Sequence, residues 1–146
     1  MKSAITLVIL GLVGAAAVSA QQAQAGVRPV ASVLQLHAVM INSSSDAVFG
    51  AAGDPPATDA AWLQASGQAL VLAESGNLVM LGGRARDNAA WMRLSRAMVD
   101  AAAAAAAAAE QKNPDALAAA GDATTASCEA CHQPYRDGGR RMEVPQ

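Results

Sequence analysis

The sequence predicts an all-α protein built as a four-helix bundle, and three observations lead there. Apolar residues recur at helical spacing along most of the chain, while the strict alternation of a half-buried strand is absent. Capping residues, a Gly pair and well-placed prolines divide those helical stretches into four. The composition suits helices: aromatic residues make up only 3% of the chain, and alanine is abundant, with an unbroken run from Ala101 to Ala109. Alanine is the strongest helix former, and its small side chain lets neighbouring helices approach closely.

The first 25 residues read as a leader. Met1-Lys2 gives a positive start, Ala4 to Val18 an apolar run, and Val18-Ser19-Ala20 and Ala23-Gln24-Ala25 two small-residue sites. This is the layout of a secretory signal peptide, cleaved after Ala20 or Ala25. The apolar run falls short of the ~20 residues a spanning helix needs, so no membrane association is expected after cleavage. Residues 26–140 are then the bundle and residues 141–146 a loose tail. Loss of Lys2 leaves nine basic and twelve acidic side chains.

A first helix is expected from Val30 to Ile41, with Pro29 at its start, where a missing N–H is tolerated. Its apolar residues are Val30, Val33, Leu34, Val39, Met40 and Ile41, and His37 falls in the middle of the inward stripe. Asn42-Ser43-Ser44-Ser45-Asp46 reads as a polar break, Ala47 to Gly50 as a short apolar turn, and Gly53-Asp54-Pro55-Pro56 as a loop. So long an excursion is typical of a crossover connection. Helix two should run from Thr58 or Asp59 to Met80, with Trp62, Ala65, Ala69, Leu72 or Ala73, Gly76 and Val79 inward, and end at Gly82-Gly83. Helix three starts at the N-caps Asp87-Asn88 and continues to Lys112. Asn113-Pro114-Asp115 stops the chain and restarts it as helix four. That helix carries Leu117, Thr124, Cys128, Cys131, His132 and Tyr135 and ends at Asp137-Gly138-Gly139.

The chemistry concentrates in Cys128-Glu129-Ala130-Cys131-His132, the C-x-x-C-H pattern of covalent c-type haem attachment. Two intervening residues place the thiols one helical turn apart, which suits addition to the two haem vinyl groups as thioethers. His132, next to the second thiol, can then bind the iron as proximal ligand. The expected cofactor is one haem c per chain, held on the C-terminal helix. A thiol–disulfide pair or half a zinc site are the competing readings of C-x-x-C. Zinc would need two further ligands, and the chain has no third cysteine and only one other histidine, His37. A core of Ala, Leu and Val buries little area per residue, so the haem-free chain is expected to be weakly folded.

Other function classes find little support. Arg84, Arg86, Arg93 and Arg96 are too few, and too interleaved with apolar residues, for a nucleic-acid footprint. There is no Ser–His–Asp set and no pair of carboxylates in an apolar frame, so the chain reads as an electron carrier and not an enzyme.

A C-x-x-C-H on the last of four helices, followed by Gln133-Pro134-Tyr135-Arg136, resembles the class II cytochromes c, meaning cytochrome c′ and its low-spin relatives of the cytochrome c556 type. Trp62 and Trp91, early in helices two and three, add to the resemblance, which covers about residues 28 to 137. It implies a left-handed antiparallel bundle with haem near one end, Cys128 and Cys131 as thioether links, and His132 as proximal ligand. Arg136 would lie near the haem edge. A residue of helix one would face the sixth position: an apolar one in cytochrome c′, a methionine in the cytochrome c556 type.

Helix one offers two candidates for that position, His37 and Met40. One turn separates them by about 4.5 Å along the axis, so only one can bind iron; an open site is the third alternative. With both axial positions filled, the protein is a periplasmic electron-transfer cytochrome serving redox partner proteins. With an open site, it is a five-coordinate cytochrome c′ that binds nitric oxide or carbon monoxide. A protein in which C-x-x-C is only a disulfide is the remaining class. The alanine-rich surface would also allow a homodimer.

Overall fold

In the computed structural model, which describes residues 28–81, 83–87 and 89–137, the regular structure is entirely helical. The first helix, α1, covers residues 33–53 without interruption: Val33–Leu36 in α geometry, His37–Ile41 as a π turn, and Asn42–Gly53 in α geometry again. Helix α2 is Asp59–Met80, α3 is Ala90–Glu110 and α4 is Pro114–His132, prolonged by a second π turn, Gln133–Asp137. Helices α1 and α3 each pack against both α2 and α4, so the four axes stand at the corners of a square. Short connections make consecutive helices antiparallel neighbours. The expected leader and tail, and the roles expected of Gly82, Asn88, Gly138 and Gly139, lie outside the described residues.

Two expectations for the first helix are overturned. Asn42 to Asp46 is not a break, and no crossover connection follows it; the chain stays helical to Gly53. The serines do not compete with the helix, because their hydroxyls turn back onto it. Ser44 Oγ donates to the Met40 carbonyl at 2.7 Å, Ser45 Oγ to the Asn42 carbonyl at 3.0 Å, and Ser43 Oγ to the Met40 carbonyl at 3.3 Å. At the other end, α1 begins three residues later than expected. Ser32 and Gln35 form a capping box there, with Gln35 N–H donating to Ser32 Oγ at 3.2 Å and Ser32 N–H to Gln35 Oε1 at 2.9 Å.

The inward stripe of α1 also differs. Leu36 and Ile41 are buried, whereas Val30, Leu34 and Val39 are 86%, 56% and 69% exposed. A π turn takes one more residue than an α turn. Apolar positions before and after His37–Ile41 therefore cannot share one 3.6-residue register.

The remaining helices follow the sequence closely. Thr58 caps α2 by accepting the Ala61 N–H at 3.2 Å, and Trp62, Ala65, Ala69, Leu72, Ala73, Gly76 and Val79 are all buried. Helix α3 begins at Ala90, not at Asp87. The Asp87 carboxylate still caps it, accepting the N–H groups of Ala89 at 3.1 Å and Trp91 at 3.0 Å. At the α3 C-terminus, Lys112 adopts a φ of 50°. Asn113 N–H reaches back to the Ala108 carbonyl and Lys112 N–H to the Ala109 carbonyl, each at 3.0 Å. This is a Schellman closure with lysine where glycine is usual. Asn113 then caps α4, accepting the Ala116 N–H at 3.1 Å, and Pro114 opens its first turn.

The interior is made of small side chains at close quarters. Leu72, Ala102, Ala105, Leu117 and Val48 are almost wholly buried. A Cβ added at Gly121 would lie 2.5 Å from that of Ala52, and one at Gly76 would lie 2.6 Å from Val99 Cγ2. Two buried hydroxyls are satisfied within their own helices, Ser75 Oγ donating to the Val71 carbonyl at 2.7 Å and Thr124 Oγ1 to the Ala120 carbonyl at 2.8 Å, while Ser66 Oγ on α2 donates to the Glu110 carboxylate of α3 at 3.4 Å.

Candidate functional site

At one end of the bundle α1 and α3 begin and α2 and α4 finish, and a cleft opens there. One part, about 150 Å³, is walled by Ile41, Phe49, Val79, Trp91, Leu94 and Met98, with His37, Cys128, Cys131 and His132 facing in. It continues past His37, Trp91, Cys131 and His132 into a second part of about 290 Å³, edged by Leu34, Asn42, Tyr135 and Arg136.

Helix α4 supplies the motif. Cys128 and Cys131, three residues apart on one helix, present half-buried, unbridged thiols to the cleft. Burial pushes both thiols above their ordinary pKa. Glu129 adds to the effect at Cys128 against a hydrogen bond from Ser127, and Cys128 adds to it at Cys131. Both thiols are therefore neutral at pH 7, matching the apolar walls around them. His132 follows on the same edge. The helix then widens into the π turn Gln133–Asp137, where Pro134 has no N–H to offer the carbonyl four residues back.

That turn sets Tyr135 edge-on against Trp91, with ring centroids 4.9 Å apart and planes at 71°. The Tyr135 hydroxyl donates to the Asp87 carboxylate. This bond is the main reason the Asp87 carboxyl is held below its usual range, with the Trp91 N–H the next lowering cause. Trp91 is fixed on its other edge by donating Nε1–H to the Val79 carbonyl at 3.0 Å. The C-terminal end of α4 and the N-terminal end of α3 are thus tied together beside the cleft.

Helix α1 supplies the facing histidine. The rings of His37 and His132 stand 5.9 Å apart between centroids, tilted by 43°. His37 Nδ1 lies 3.3 Å from the Val33 carbonyl. A carbonyl only accepts, so Nδ1 carries the proton and Nε2 keeps its lone pair for a metal. The π turn sets the aim: Asn42 N–H bonds the His37 carbonyl five residues back. Each residue of an α-helix advances by roughly 100°, so with the same downstream packing a regular helix would carry Ala38 to the cleft in place of His37.

Two metal–imidazole bonds of ~2 Å, plus the half-width of each ring, amount to a centroid separation of about 6 Å. The histidine pair matches that separation, and the thiols open on the same apolar cleft. The residues present fit a haem. They do not fit the zinc alternative, because among the described residues no three His, Cys, Asp or Glu side chains converge to hold a bare ion.

Of the residues singled out from sequence, Cys128, Cys131, His132, His37 and Arg136 meet at this cleft. Met40 does not line it; its side chain is half-buried against the hydrophobic core. The two tryptophans part company, since antiparallel helices put their first turns at opposite ends: Trp91 walls the cleft and Trp62 does not. Phe49, Asn42 and Ser45 also line it and were missed by sequence reasoning. Asn42 and Ser45 fall in the stretch read as a break and Phe49 in the one read as a short apolar turn, where back-bonding serines hid a continuing helix.

No curated protein matches the chain. No helix among the described residues is long and apolar enough to cross a membrane. Residues 86–136 match the family model described as Cytochrome C′. That stretch holds α3 with Trp91, α4 with its C-x-x-C-H motif, and Tyr135 and Arg136 beyond it. The match covers about a third of the chain, and together with the four-helix bundle around it is consistent with a class II cytochrome c.

Proposed function

We propose that the protein is a periplasmic monohaem electron carrier whose iron is held between His132 and His37. The observation that carries this reading is the 5.9 Å separation of the two rings across the cleft. Cys128 and Cys131 would hold one haem c through thioethers, and the bound iron supplies one-electron exchange. His132 would be the proximal ligand. His37 presents Nε2 because its Nδ1–H is taken by the Val33 carbonyl, a hydrogen bond that fixes ring orientation and raises ligand basicity. Two imidazoles hold the potential below that of a His–Met pair. Export supports the same reading, since thioether attachment takes place outside the cytoplasm and residues 1–25 read as a leader.

The test is carbon monoxide binding by the ferrous holoprotein and its His37→Ala variant. Weak or slow binding by the first and rapid, tight binding by the second are expected. Rapid, tight binding by the unaltered protein would assign it instead to the five-coordinate, gas-binding class.

A further inference from the structure

Charge is unevenly distributed along this bundle. Of the seven described Lys and Arg residues, six lie at the cleft end: Arg28, Arg84, Arg86, Arg93, Arg96 and Arg136. They occupy the segment leading into α1, the α2–α3 connection, the first two turns of α3 and the turn after α4. Five of them are exposed. Arg84 is the half-buried one, where it donates Nε–H to the Ala31 carbonyl at 2.8 Å and Nη1 to the Leu78 carbonyl at 3.0 Å. It thereby braces the segment leading into α1 against the end of α2. The seventh, Lys112, is at the far end and is paired with Asp59 at 2.7 Å. Asp54, Asp59, Glu110, Asp115 and Asp122 make that far end acidic.

The basic end also has an apolar centre. Val30 is 86% exposed, and Leu34, 56% exposed, edges the cleft beside Arg136. An apolar contact patch inside a charged rim is the anatomy of a protein docking face. We propose that this end of the bundle docks an acidic partner protein, whose carboxylates meet the arginine rim while its contact surface covers Val30 and Leu34. This rests on the electron-transfer reading, because the face lies over the histidine pair. The opposed charge of the two ends would orient the molecule cleft-first during approach. A uniformly anionic bilayer suits the face less well, since Asp87 and Glu129 interrupt the arginines at this end.

Poly-L-glutamate is the probe, added to 15N-labelled holoprotein and followed by amide shift changes. The changes should map to the segments around Arg28, Arg86, Arg93 and Arg136. Affinity should fall roughly tenfold or more as salt rises from about 20 to about 200 mM. The charge-reversed double variant, Arg93→Glu with Arg96→Glu, should weaken binding by a similar factor with its visible spectrum unchanged. Changes scattered over the molecule, or binding indifferent to the double variant, would overturn the docking face. Stronger salt-sensitive binding to phosphatidylglycerol vesicles than to the polyanion would replace the acidic protein with a lipid surface. Electron exchange with hexacyanoferrate is measured alongside. Docking without exchange would keep the face and remove the electron-transfer role; exchange without docking would do the reverse.

Discussion

The rings of His37 and His132 stand 5.9 Å apart although they come from the first and last helices of the bundle. Only one of the two helix-one candidates takes part in this pairing, because Met40 does not line the cleft. His37→Ala should therefore turn a low-spin iron high-spin. Met40→Ala should leave the spectrum unchanged and cost about 1 kcal/mol of stability, as expected for shortening a half-buried core side chain. Visible spectra and denaturant midpoints of the two variants check both halves; spectral changes confined to the Met40 variant would hand the ligand role to that residue.

The π turn gives a second expectation. Deleting Ala38 removes the extra residue and lets α1 run as a regular helix with the histidine still facing the cleft, so the deletion should keep the spectrum of the unaltered protein. Inserting one alanine after Ile41 should instead rotate His37 by roughly 100° and abolish the low-spin spectrum. Equal spectra for the two variants would mean that the π turn does not set the histidine's aim.

Cys128→Ala and Cys131→Ala would each remove one of the two proposed thioethers. Haem staining on a denaturing gel should weaken in either variant and vanish when both are changed.

The Tyr135–Asp87 bond makes an acid-sensitive tie. Asp87 has a lowered folded pKa, so its stabilising contribution is present above the ordinary carboxylate value, near 4. It is lost as pH falls through the lowered folded value. Tyr135→Phe should lower Tm at pH 7, and the gap from the unaltered protein should close in strong acid. A Tm difference that stayed constant across that range would mean that the hydroxyl's contribution does not depend on the ionised Asp87 carboxylate.

Close helix approach can be tested with glycines. Gly121→Ala should destabilise by about 1–3 kcal/mol, because the new methyl meets the Cβ of Ala52. At Gly67 a Cβ meets nothing within 4 Å, and alanine there should stabilise by about 0.5–1 kcal/mol. Denaturant midpoints giving the same sign at both positions would contradict the packing described.

Much of this was legible in the residues. The apolar spacing of Trp62 to Val79 gave α2 its length and its buried face, and Asn113-Pro114 gave the start of α4. The C-x-x-C-H motif marked the end of α4 whose Cys128, Cys131 and His132 line the cleft. What stayed hidden was the course of α1. Serine hydroxyls can either compete with a helix or bond back into it, and the order Asn42-Ser43-Ser44-Ser45 does not say which. A π turn likewise leaves no composition signal, so the exposed sides of Leu34 and Val39, and the exclusion of Met40, could not be read from a 3.6-residue period.

The central claim, an iron clasped by His132 and His37, is tested most directly by the absorption spectrum of purified holoprotein in both redox states. The account predicts low-spin, six-coordinate haem in each, without the weak long-wavelength band of methionine-bound ferric haem. A high-spin spectrum in the unaltered protein would contradict it and leave His37 an ordinary side chain of the cleft wall.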